Sequence, residues 1–277
     1  MFIKQIVEAK AHELTPTDRR LLDVLFVHPA EAAFWRAQDL THPLGLHEAS
    51  ATRLAQRLGF AGYPAFREAL RQDYLDNEGP SQRVKGRLDR TDDGDLVSRF
   101  VDDETAALAS LPTHLDQAAL DSTAERILLA RTVYLFGQGN ASILVDLLAR
   151  RLQRFGVDVV SLVGSNRDLA EGALTLASDD LVLAFAFRRS PQPLVPLLTL
   201  AADVGAPTVL VTDTLLGILP APTTVLAAPR GPAGEFLSLI VPMTIVNALV
   251  LTIARSAPES SLRSLDRLAH LFDHFDV

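Results

Sequence analysis

Five short apolar runs, residues 132–136, 157–162, 181–186, 208–212 and 224–228, mark the second half of the chain. Stretches with helical periodicity, beginning near Ala141, Asn166 and Pro193, separate the first four. Such β-branched and apolar runs need cover on both faces, and intervening helices supply it. The pattern therefore predicts an α/β domain with a parallel five-stranded sheet flanked by helices. Ligands on such sheets bind beyond the carboxyl ends of the strands. The loops after Phe136, Ala186 and Thr212 are thus the places to look for a site.

Each of these loops carries a different chemistry. Gly137, Gln138, Gly139, Asn140 and Ser142 follow the first strand, where a glycine pair lets the backbone approach a ligand and turns free N–H groups toward an anion. The third glycine and the acidic residue of a dinucleotide fingerprint are missing, and no cofactor is expected. Arg188, Arg189 and Ser190 follow the third strand. Their guanidinium groups can fork onto a carboxylate or phosphate, or pair with acids of the same or a partner subunit. Thr212, Asp213 and Thr214 offer two hydroxyls and a carboxylate, to hold a ligand hydroxyl or to cap the next segment.

The first half is organised differently. Thr15, Pro16 and Asp18 form a helix start, and Leu21, Leu22 and Leu25 follow as an apolar stripe. Further on, Pro43 and Gly45 lead into a short helix over residues 48–58, which Gly59 closes. On it Ala51, Leu54, Ala55 and Leu58 share one face, and Ala49, Ser50, Thr52, Arg53, Gln56 and Arg57 are expected on the other. That outer face is small, polar and basic. It suits a major groove, where Arg reads guanine and Ser, Thr or Gln reach base edges or phosphates. An ordinary amphipathic surface helix shows the same pattern, but several short helices joined by a glycine turn predict an all-α helix-turn-helix domain.

The stretches LTPTDRRLLDVLFVHP and ATRLAQRLGFAGYPAFREAL resemble the N-terminal domain of RpiR-type (MurR/RpiR) bacterial transcriptional regulators, whose second domain is a sugar isomerase (SIS) domain. The element from Arg57 to Pro64 is the most specific part, and it adds Tyr63 to the DNA-binding candidates. The resemblance implies a helix-turn-helix over residues 1–78, a polar linker over 79–95 and an effector-binding, oligomerising domain over 96–277. Two departures stand out. His47 occupies the N-cap where the family usually has Ser, and Arg188 and Arg189 stand where phosphosugar-binding SIS domains carry a Ser-x-Ser-Gly-x-Thr loop.

The formal charge of −8 opposes DNA binding. Residues 1–90, however, hold 13 basic against 12 acidic side chains, so the acidity belongs to the second domain. No cysteine is present, which excludes disulfides and thiolate metal sites and fits a reducing cytoplasm. No signal-peptide pattern is seen at the N-terminus. The apolar stretch over 237–254 contains Pro242, Thr244, Asn247 and Thr252 and reads as a core or dimer-interface helix. None of the seven histidines lies in a candidate ligand loop, so an enzyme is not expected.

The chain therefore reads as a regulator that binds a double-stranded DNA operator as a homodimer or homotetramer and responds to a small anionic metabolite. A sugar-phosphate isomerase, or a DNA-binding protein whose second domain only oligomerises, are the alternatives.

Overall fold

The computed structural model describes residues 2–10, 12–27, 32, 34–77, 81, 84, 88, 95–188, 190–213, 218–231 and 236–276. The chain forms two compact units, residues 1–103 with 231–237 and residues 104–230 with 238–277.

The first unit holds α1 (Phe2–Ala9), α2 (Pro16–Val27), α3 (Ala37–Thr41), α4 (Ala49–Arg57), α5 (Tyr63–Asn77) and the start of α6 (Leu96–His114). Thr15 starts α2 through a reciprocal cap: its Oγ1 accepts from the Asp18 N–H at 3.2 Å, while Asp18 Oδ2 accepts from the Thr15 N–H at 2.8 Å. Leu21, Leu22 and Leu25 from α2 meet Ala51, Leu54 and Ala55 from α4 in the core, closed by Leu58 and Phe66. Between α3 and α4 a short 3-10 turn, His42–Leu44, ends at Gly45. Its φ of 66° is a conformation that a side chain disfavours, and it lets α4 leave the turn in a new direction.

In the second unit, α7 (Gln117–Leu129) precedes β1 (Val133–Gly137), α8 (Ser142–Arg154), β2 (Val159–Leu162), α9 (Asn166–Gly172) and β3 (Leu181–Phe185). There follow α10 (Leu194–Val204), β4 (Thr208–Thr212), β5 (Thr224–Ala227), α11 (Ile240–Ser256) and α12 (Pro258–His274). The strands form one parallel sheet in the order β2-β1-β3-β4-β5, with Val133 opposite both Val159 and Leu181. The second strand starts two residues later than the apolar run suggested.

Alternate residues of β1 and β3 serve two separate cores. Leu135, Leu183 and Phe185 pack with α8 and α11 on one face, and Tyr134, Phe136, Val182 and Ala184 pack under α9 and α10 on the other. The apolar stretch leading to α11 resolves as core: Val241, Ile245, Val246, Leu249 and Ile253 are buried, and Leu251 faces outward. Among the described residues no single helix is long and apolar enough to cross a membrane.

Candidate functional site

Helix α4 begins without a side-chain cap from Glu48. Instead the His47 Nδ1 accepts the Ala49 N–H at 3.2 Å, so the imidazole stands in for the hydroxyl usual at this place. Ala49, Arg53 and Gln56 are exposed and Thr52 half-exposed, as the helical stripe requires. Three expectations are corrected. Ser50 is 8% exposed, and its Oγ accepts from Arg53 Nη2 at 3.2 Å. Arg57 folds back instead of pointing out: Nη1 donates to Asp18 Oδ2 and, at 3.3 Å, to Thr15 Oγ1. Tyr63 is 3% exposed and its hydroxyl donates to the Trp35 carbonyl at 3.1 Å, so it braces the core. Burial pushes the Tyr63 phenol above its ordinary pKa.

The Arg57 pairing has an electrostatic signature. Burial raises Asp18, but hydrogen bonds from Thr15 and Arg57 together with the Arg57 charge outweigh it and hold the carboxyl below its usual range. With Lys10 Nζ donating to the Arg57 carbonyl at 2.9 Å, the end of α4 is fixed to the residue after α1 and to the start of α2, and Arg53 is left as its exposed arginine.

In the second unit, strand order reverses between β1 and β3, which opens a crevice at their carboxyl ends. Gly137 packs so tightly that a Cβ there would lie 2.9 Å from both the Ala141 carbonyl oxygen and Val145 Cγ2. Gly139 at φ 57° and Asn140 are exposed, with open space around Gly139. Ser142 Oγ donates to the Gly139 carbonyl at 2.8 Å and stiffens the loop, and Gln138 is half-buried before it.

Opposite this loop, Arg188 holds a left-handed backbone at φ 64°, and its N–H donates to Asp213 Oδ1 at 2.7 Å. Ser190 is exposed, and Arg189 and Thr214 lie outside the described residues. Asp213 was expected to hold a ligand hydroxyl or to cap the next segment; residues 214–217 lie outside the described residues, and the described contacts of its carboxylate run to other parts of the unit. Its second oxygen accepts from Arg230 Nε at 2.8 Å and Nη2 at 2.7 Å, so both oxygens are occupied within the protein. Thr212 is buried at the end of β4 instead of presenting a hydroxyl to the crevice.

Arg230 is the residue that sequence reasoning missed. At 9% exposure it also donates to the Ser238 carbonyl at 3.2 Å and stacks its guanidinium 4.8 Å from the Phe187 ring centre. Ser238 Oγ in turn donates to the buried Glu104 at 2.8 Å. One buried ion pair thus ties the loop after β3 to the end of β4 and the segment after β5. No periodicity marks Arg230, and only the parallel pairing of β4 with β5 brings it beside Asp213.

Two units of this kind, a helix-turn-helix with an exposed polar helix face and a parallel α/β domain with a crevice at its switch point, define a class: helix-turn-helix proteins with a second α/β domain. Residues 1–77 match the family described as helix-turn-helix domain, rpiR family. The uncharacterized HTH-type transcriptional regulator YfhH of Escherichia coli is 26% identical over 63% of this chain, which spans 62% of that relative's length. The sugar isomerase domain of an RpiR transcription factor from Sphaerobacter thermophilus is 25% identical, covering 63% of this chain and 97% of its own, with a TM-score of 0.58. The Vibrio vulnificus NanR protein complexed with ManNAc-6P shares the fold over 99% of both chains, at 22% identity and a TM-score of 0.65. Residues 1–77 thus carry an rpiR-family helix-turn-helix domain, and the second unit is similar in fold to the sugar isomerase domain of such a factor.

Proposed function

We propose that this protein is a cytoplasmic, non-catalytic transcription regulator. It binds a two-fold-symmetric DNA operator as a homodimer or homotetramer and alters that binding when a small anionic metabolite occupies the crevice. The observation that carries the reading is α4. Its inner face is fixed by Leu54, Leu58 and the Arg57–Asp18 pair, while Ala49, Thr52, Arg53 and Gln56 form a solvent-facing, largely polar outer face. A rigid helix with small residues at its N-terminal end suits a major groove, and the exposed Arg53 supports a reading in which it forks onto a guanine.

Several features support the remaining parts. The amides around Gly139 and the Arg188 and Arg189 side chains favour an anion, as does the phosphosugar bound by NanR. Arg230 is spent on Asp213 and is not part of that set. No histidine of the described crevice loops offers a general base. Exposed Leu262, Leu265 and Phe272 on α12 supply apolar surface for subunit association, a better candidate than α11.

The test begins with duplexes selected from a random pool by the full-length protein. Arg53→Ala should weaken binding to the selected operator by about 1–3 kcal/mol per half-site while leaving the thermal midpoint unchanged. Equal operator affinity in the folded variant overturns the assignment of Arg53. A thermal-shift screen of sugar phosphates and small carboxylates then tests the effector, because a ligand of the native state raises apparent stability by mass action.

A further inference from the structure

A pocket of about 270 Å³ opens between α9 and α10, on the sheet face opposite α8 and α11. Its floor is the ring of Phe136, and Leu169, Ala173 and Leu197 form buried walls. Asn166 and Gln192, both exposed, line it with neutral carboxamides, and among the described residues no charged side chain lines it. Neither Asp213, Arg230 nor any residue of the glycine loop belongs to its lining.

We propose that this pocket is a binding site for an uncharged, ring-sized apolar group bearing a neutral hydrogen-bonding function such as an amide. Three arguments converge. The volume is close to the lower end of small-ligand pockets, which begin at about 300 Å³ and combine apolar walls with a few placed polar groups. A charged group would lose its water against Phe136 and the leucines with no counter-charge among the described lining residues to repay it. A carboxamide at the mouth offers both a donor and an acceptor, which matches an amide, a hydroxyl or a carbonyl and discriminates against none of them by charge.

The pocket is therefore chemically distinct from the anion-favouring crevice beside it. It abuts that crevice, since Phe136 immediately precedes Gly137 and Gln192 closes the loop that begins at Arg188. The site stands without the regulator reading, because its occupancy is read directly and without DNA.

The probe is 4-fluorobenzamide, titrated into the full-length protein and followed by the broadening of its fluorine resonance. Binding is expected in the millimolar range, as befits a fragment of this size. The matched anion, 4-fluorobenzoate, is expected to bind at least about tenfold more weakly. Ala170→Trp fills the space from an exposed position on the lining and should weaken 4-fluorobenzamide by about tenfold or more, as steric filling of a cavity would. Gln192→Ala, which alters no buried contact, should weaken it by roughly 3- to 10-fold through one lost hydrogen bond. Absence of broadening by 4-fluorobenzamide, equal binding of the benzoate, or binding indifferent to both variants overturns the proposal.

Discussion

Removing the Arg230 guanidinium should damage the second unit more than any exposed charge would. Arg230 and Asp213 are 9% and 8% exposed, and the carboxylate accepts from Arg230 Nε and Nη2 on one oxygen and from the Arg188 N–H on the other. Arg230→Met keeps an apolar stem against Phe187 but strands a buried negative charge with one backbone donor. Breaking one partner of such a pair costs about 3–5 kcal/mol, and the surviving Arg188 N–H puts the expected loss near the lower value, about 3 kcal/mol. For a unit of this size each kcal/mol moves the midpoint by about 2–4 °C, so the thermal midpoint should fall by roughly 6–12 °C. Adding Asp213→Asn removes the stranded charge while retaining an acceptor for Arg188, and the double variant should regain most of the loss. Urea unfolding of parent, single and double variants measures the coupling. A single-variant loss below about 1 kcal/mol, or a double variant no more stable than Arg230→Met, would show that the pair does not organise the crevice.

The reading head makes two related predictions. Arg57→Ala, whose side chain is 36% exposed, should destabilise the first unit by about 1–2 kcal/mol in urea titrations, a figure discounted for solvent screening, and should weaken all DNA sequences alike without changing their ranking. Because folding lowers the Asp18 pKa, the unfolded chain takes up that proton more readily. The stabilisation by Asp18 is therefore complete above the ordinary carboxylate value of about 3.9 and is lost as pH falls through the lower folded value. Stability curves of the parent and of Arg57→Ala measured downward from neutral pH should converge in that acid range; a constant gap would contradict the pairing. In the ligand loop, Gly137→Ala places a methyl group 2.9 Å from a backbone oxygen and from a helix-held side chain, and should lower stability by about 1–3 kcal/mol. An unchanged midpoint for that variant would mean that the glycine is not needed for close packing.

The elements of both domains were legible in the sequence because their signals are local. A strand covered on both faces must be apolar at every position, as residues 133–137 and 181–185 are, and that holds whatever the rest of the chain does. The stripe Ala51, Leu54, Ala55 and Leu58 likewise announced which side of α4 is buried, and the glycine pair after β1 announced a loop built for close approach. The fates of particular side chains were not legible. Arg53 and Arg57 lie four residues apart on one polar face and look equivalent, yet Asp18, 39 positions away, draws one of them back into the protein. Asp213 resembled a free loop carboxylate until β5 returned parallel to β4 and delivered Arg230, 17 positions further on, to its side chain. Periodicity and backbone preference act over a few residues and are written in the order of the chain. Which charges neutralise one another, and what space remains between α9 and α10, depend on distances that exist only after the chain has closed on itself.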